Sequence, residues 1–217
     1  MAFYIFLTGL ASAAVTNTTI SQNTVQAISL VGNPTGYIVN ATISNNHVAQ
    51  SFSFSGSTTT VSSNYYTSIL INQNVIRDLI LNAGNAIISN NIFLTTLGPV
   101  VVNPSANFTN STYNNNVTFG GSSINAGLGT NNIVISSTVG QFNSNTGGSD
   151  DNNYRVATGT AMKTASTSVG EVGMFGGATP YVQYGIPATP SVIKLLNTGI
   201  GNSTTPITAT VSAKSNN

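Results

Sequence analysis

The groups that could do acid–base or metal chemistry in this chain are few: the acids Asp78, Asp150, Asp151 and Glu171, and a single histidine, His47. A Ser-His-Asp triad would have to use His47 as its base. His47 stands in "TISNNHV", just after an asparagine, where kindred stretches carry Thr24, Val75 and Ile92, so it reads as one more strand side chain. Glycoside hydrolysis needs two carboxylates about 5–10 Å apart across a cleft. Asp150 and Asp151 are adjacent in "GGSDDNN", a poor way to oppose two groups; their oxygens suit calcium, but a solvated turn explains them as well. Polysaccharide lyases combine acidic metal ligands with a basic residue, yet Arg77 and Asp78 are neighbours and project to opposite faces if extended. The chain has no Cys, which excludes disulfides, Cys-ligated zinc and thiol catalysis. The expectation is a non-enzymatic protein with no catalytic, cofactor-binding or metal residues.

The elements that must carry these residues announce themselves by a repeated phrase. "NAIISNNIF" at 85–93 puts Ser and Asn between strand formers, and Asn is depleted in strands. "TISQNTV", "TISNNHV", "ILINQNVI" and a degenerate "TYNNNVTF" repeat the pattern. On an Ile/Val-x-x-Asn frame the pairs are Ile20/Asn23, Ile43/Asn46, Val61/Asn64, Ile71/Asn74 and Ile88/Asn91, with Tyr113/Asn116 a looser fit and Ile135/Thr138 ending the series. Apart from the close Val61/Ile71 pair, the spacings run from roughly 17 to 28 residues, the signature of stacked coils. Gly, Asn, Thr and β-branched residues are poor helix formers, and no apolar stripe of helical period persists.

This predicts an all-β right-handed parallel β-helix of about six irregular rungs over residues 16–148. Ile20, Ile43, Ile71, Ile88 and Ile135 should point inward, and Asn46, Asn74 and Asn91 should lie at strand ends or corners. Asn tolerates the left-handed backbone a corner demands. Amides stacked about 4.8 Å apart could also hydrogen-bond up the solenoid. An irregular sandwich is the competing architecture.

Composition agrees. Hydrophobic residues make up 40 % and charged residues only 4 %, with a net charge of +1. Low charge with appreciable hydrophobicity is not the composition of a disordered chain. No basic surface invites nucleic acid. No run of about 18 apolar residues is present, so no membrane-spanning helix is expected. The opening "MAFYIFLTGLASAAV" imitates a signal peptide but lacks a basic n-region, the first Lys or Arg being Arg77. Residues 1–15 are therefore read as an apolar cap or packing segment.

The texture changes at "NSNTGGSDDNNYR", a Gly/Asn/Asp-rich stretch that reads as a boundary, leaving 149–217 as a cap or oligomerisation region. Within it lies "GMFGGATPYVQ", Gly173–Gln183. This segment resembles the "GFFGxTPVxQ" stretch near the C-termini of phage and large-virus fibre and tailspike-like proteins. Met174 stands where those proteins have an aromatic residue, one residue is added before Thr179, and Tyr181 replaces an aliphatic one. The resemblance implies a trimeric end region behind a β-rich shaft. It makes Met174, Phe175, Tyr181 and Tyr184 the candidate assembly interface of a homotrimer, with an intramolecular cap as the alternative.

Together these readings give a structural virion protein: a fibre, spike or surface appendage at the virion surface. Other virion proteins are its expected partners and host-surface glycans a candidate contact. A secreted adhesin or glycan-binding solenoid is the second reading, and a polysaccharide-degrading enzyme the third. An exposed aromatic shelf along one solenoid face would favour glycan binding, and a charged cleft would favour the enzyme. Sequons at Asn17, Asn40, Asn107, Asn110, Asn116 and Asn202 permit glycosylation without requiring it. Regular Thr-x-Thr ranks, as an ice-binding solenoid needs, are missing.

Overall fold

A computed structural model of the chain describes residues 3–9, 14–32, 36–56, 65–78, 80–81, 85–95, 101–102, 111–120, 124, 129–143, 153–167, 170–182, 191–197 and 209–214. The chain divides into two compact units, Met1–Tyr181 and Val182–Asn217. The division falls after Tyr181 rather than at 148, because residues of 153–167 and 170–181 pack against the sheets that precede them. Of the second unit the structure describes one antiparallel hairpin, Ser191–Asn197 with Ala209–Lys214. The described residues contain no α-helix.

The first unit is built from short strands that pair only in parallel and in register with the next turn of the chain. The first turn carries β1 (Tyr4–Thr8), β2 (Val15–Thr16), β3 (Thr19–Ser21) and β4 (Thr24–Val25). The second carries β5 (Ala27–Gly32), β6 (Ile38–Val39), β7 (Thr42–Ser44) and β8 (His47–Val48). Then come β9 (Phe52–Gly56), β10 (Tyr66–Thr67), β11 (Ile69–Asn72) and β12 (Val75–Ile76). The chain continues through β13 (Ile80–Leu81), β14 (Ala86–Ser89) and β15 (Ile92–Phe93), then β16 (Val101–Val102), β17 (Thr112–Asn114), β18 (Val117–Phe119) and β19 (Ile133–Ile135). Equivalent strands stack into four sheets, ordered β1-β5-β9-β13-β16, β10-β6-β2, β17-β14-β11-β7-β3 and β19-β18-β15-β12-β8-β4. This is a parallel β-solenoid. Residues 4–8, read from sequence as a cap, form the edge strand of its first sheet.

Register turns the sequence phrase into columns. Ile20, Ile43, Ile71, Ile88 and Tyr113 lie above one another and are buried. Ile28, Phe52 and Ile80 form a second column, and Leu30 with Phe54 a third. Phe54 and Tyr66 meet edge to face at 4.9 Å. Stacked aliphatic and aromatic side chains of this kind supply the main stabilisation of a solenoid, since each turn buries its face only against its neighbours. Ile135 departs from the expectation. It pairs with Phe119 and packs half-buried in a second cluster with Val117 and Val156, outside the solenoid's interior. The Val61/Asn64 pair lies outside the described residues.

The asparagines answer the puzzle of the spoiled strands with a division of labour. The left-handed residue is the one before the framed asparagine: Gln22, Asn45, Gln73, Asn90, Asn115 and Asn131, with φ between 55° and 58°. Its turn aims the following Asn inward. Asn23, Asn46, Asn74, Asn91, Asn116 and Asn132 then form a ladder in which each Nδ2 donates to the Oδ1 of the next, at 2.9–3.1 Å. The same Oδ1 also accepts the backbone N–H of the preceding Asn, at 2.9–3.0 Å. The ladder steps directly from Asn46 to Asn74, and its last member among the described residues is Asn132 rather than Thr138. The interior ladder amides, those of Asn46, Asn74, Asn91 and Asn116, are tolerable because the Nδ2 and the Oδ1 of each find partners.

Candidate functional site

After β19 the chain returns as a strap over the outer face of the sheet that contains β8, β12, β15 and β18. Outward-facing Val75, Ile92 and Val117 would be an apolar stripe in water. Instead they are buried beneath Val156, Met162, Val172, Met174 and Phe175. The strap is held by the same corner residues that turn the strands. Asn115 Nδ2 donates to Ala165 O at 3.1 Å and Gln73 Nε2 to Ser166 Oγ at 2.9 Å. Asn90 Oδ1 accepts the Thr167 N–H at 3.0 Å. Asn45 Nδ2 donates to Met174 O and Gly176 O at 2.9 and 2.7 Å, and Gln22 Nε2 to Pro180 O at 3.2 Å. A left-handed corner throws its side chain outward, so a column of corners presents a column of amides, and a strand-like segment can read them in turn.

Glycine makes the close approach feasible at two points. Gly173 has φ +84°, and a Cβ there would come within 2.6 Å of Ile92 Cδ1. At Gly176 a Cβ would meet the Glu171 carbonyl at 1.6 Å. The fibre-like stretch therefore serves an internal purpose. Met174 is fully buried and Phe175 nearly so, and the Tyr181 ring meets Phe175 edge to face at 5.7 Å. Tyr181 also shares a hydrogen bond with Thr24 at 3.3 Å. Expected as a subunit interface, Met174 and Phe175 are covered by their own chain, because the outer column of β12, β15 and β18 is apolar and needs them there. Tyr184 lies outside the described residues.

The ionisable side chains are used in the same packing. His47 is buried, its ring 4.5 Å from that of Tyr154. Glu171 is buried too: its Oε1 accepts the Val156 N–H at 2.9 Å and its Oε2 is paired with Lys163 Nζ. Arg155 places its guanidinium 4.5 Å over the Phe175 ring. These roles were invisible in sequence, since nothing in the spacing of 155, 163, 171 and 175 marks them as neighbours. Arg77 and Asp78 are exposed after β12. Asp150 and Asp151 lie outside the described residues. No group of three or more His, Cys, Asp or Glu that could hold a metal occurs among the described residues.

Two further surfaces bear on function. Tyr4 and Phe6 project from β1 with ring centroids 6.3 Å apart and planes 23° apart. The outward row does not continue as an aromatic shelf: next to Phe6 come Ser29 and Ser53, whose hydroxyls bond at 3.1 Å. Among the sequons, Asn116 is a buried ladder residue, whereas Asn17 and Asn40 are exposed and bonded to each other at 3.3 Å. Comparison with protein-family models, curated proteins and solved structures gives no match to this chain. No helix among the described residues is long and apolar enough to cross a membrane.

Proposed function

We propose that this chain is a non-enzymatic structural protein of a surface appendage, a fibre, spike or similar element of a virion. Its solenoid is a right-handed β-helix of about six rungs. The observation that carries the structural reading is the asparagine ladder from Asn23 to Asn132. It commits a column of amides to holding successive turns in register, in a chain of which only 4 % is charged. The ionisable groups described on the strap are spent within it, as Glu171 is with Lys163, while the corner amides hold it to the sheets. The similarity of Gly173–Gln183 to fibre proteins supplies the virion setting. Other virion proteins are the implied partners, and host-surface glycans the implied external contact.

Labelling purified particles with an antibody raised against the folded chain, and viewing them by electron microscopy, tests the placement. Label on a projecting structure of the particle is the expected result. Label on cell envelopes with none on particles would replace this reading with the secreted adhesin.

A further inference from the structure

The turn formed by β1 to β4 is the edge turn of all four sheets. Edges of this kind template further pairing, and proteins blunt them with charge, proline or a short, bulged strand. None of these devices is present on β1. It is five residues long, pairs through its whole length with β5, and lies in a chain whose first charged side chain is Arg77. Its other side has no strand among the described residues. Beneath it the interior is incompletely closed: Ile5, Leu7 and Val15 pack against the core but remain only partly buried, where their column neighbours Ile28 and Leu30 are fully buried. Outside it, Tyr4 is 52 % and Phe6 67 % exposed.

The burial pattern of Tyr4-Ile5-Phe6-Leu7-Thr8, exposed residues alternating with half-buried ones, is a palindrome about Phe6. In an antiparallel pair, facing residues point to the same side of the sheet. A second copy of β1 laid antiparallel with Phe6 opposite Phe6 would set Ile5 against Leu7 on the inner face and Tyr4 against Thr8 on the outer face. We infer that β1 is a self-association edge, at which two copies of this chain pair through Tyr4–Thr8 about a two-fold axis at Phe6. The contact is isologous, so it closes after two copies and consumes the edge that would otherwise nucleate open-ended growth. It also joins the two solenoid interiors across Ile5 and Leu7. No charge on either strand opposes it.

The absence of cysteine gives a direct test. Phe6→Cys introduces one thiol, at an exposed position whose loss leaves the core intact. Facing residues in an antiparallel pair have Cα atoms about 4.5–5.5 Å apart, within disulfide reach. In the same register, position 4 lies opposite position 8 and roughly 13 Å from its own counterpart, beyond that reach. Under mild oxidation F6C should give a covalent dimer and Tyr4→Cys alone should not, whereas a mixture of Y4C and Thr8→Cys should cross-link. Light scattering should find the full-length chain dimeric and Phe6→Lys monomeric with an unchanged circular dichroism spectrum. A monomeric or trimeric wild-type chain would overturn the inference, as would Y4C cross-linking as well as F6C, or F6C remaining uncross-linked.

Discussion

Asn46 gives two hydrogen bonds to one atom: both its backbone N–H and its Nδ2 donate to Asn74 Oδ1, each at 3.0 Å. The amide of one turn thus terminates the backbone of the turn before it, and side-chain and main-chain order become inseparable.

Asn74→Ala should therefore be costly. It strips a partner from the buried Asn46 N–H, from Asn91 Oδ1 and from the Ile43 carbonyl. At about 1–3 kcal/mol for each unsatisfied buried group, partly relieved by relaxation, a loss of about 3–5 kcal/mol is expected from urea midpoints. Asn23→Ala, at the half-buried end of the ladder, should cost about 1 kcal/mol or less. Equal effects at the two positions would refute a cooperative ladder.

Asn74→Asp adds a pH signature. An ionised carboxylate cannot donate to Asn91 Oδ1, and burial raises the pKa of an acid in the folded state. An acid with a raised folded pKa is destabilising once pH exceeds its unfolded value, about 4 for Asp. The variant should thus be weakest near neutrality and approach the parent most closely below about pH 4. Melting temperatures across that range decide it.

Asn131 isolates the corner from the ladder, being exposed with φ 57°. Asn131→Gly should be neutral within about 0.5 kcal/mol, while Asn131→Val should lose about 1–2 kcal/mol through left-handed strain alone.

Tyr66 predicts alkaline sensitivity. Burial pushes its phenol up to about 12, against the Gly32 N–H, which donates to the phenol oxygen and pulls it down. The folded state keeps the proton after the unfolded chain has lost it, so the contribution is intact below about pH 10 and disappears between about 10 and 12. The stake is about 2–3 kcal/mol. Tyr66→Phe should flatten this alkaline limb while lowering stability at neutral pH, where Gly32 N–H loses its acceptor. Stability measured against pH for both proteins separates the two effects.

Gly173→Ala tests the strap. Its Cβ has no room beside Ile92 and its φ is positive, so about 2 kcal/mol or more should be lost. The loss should appear first as exposure of residues 165–181 to hydrogen exchange, with β11 and β14 still protected.

The sequence by itself determined the solenoid. Ile20, Ile43, Ile71 and Ile88 recur at one offset from Asn23, Asn46, Asn74 and Asn91, and parallel in-register stacking is the arrangement that puts like residues above like. That information is local, carried by β-propensity and by the phase of Asn against Ile. Which of two adjacent asparagines turns the chain and which joins the ladder was not legible, because Asn45 and Asn46 are chemically identical and differ only in the backbone each inherits. Nor could the partner of Met174 and Phe175 be read. An apolar, glycine-spaced segment fits a neighbouring subunit as well as its own chain. Only the tertiary structure, by laying Val75, Ile92 and Val117 in one outward column with the Asn45, Asn90 and Asn115 amides beside it, decided that the segment closes over its own solenoid.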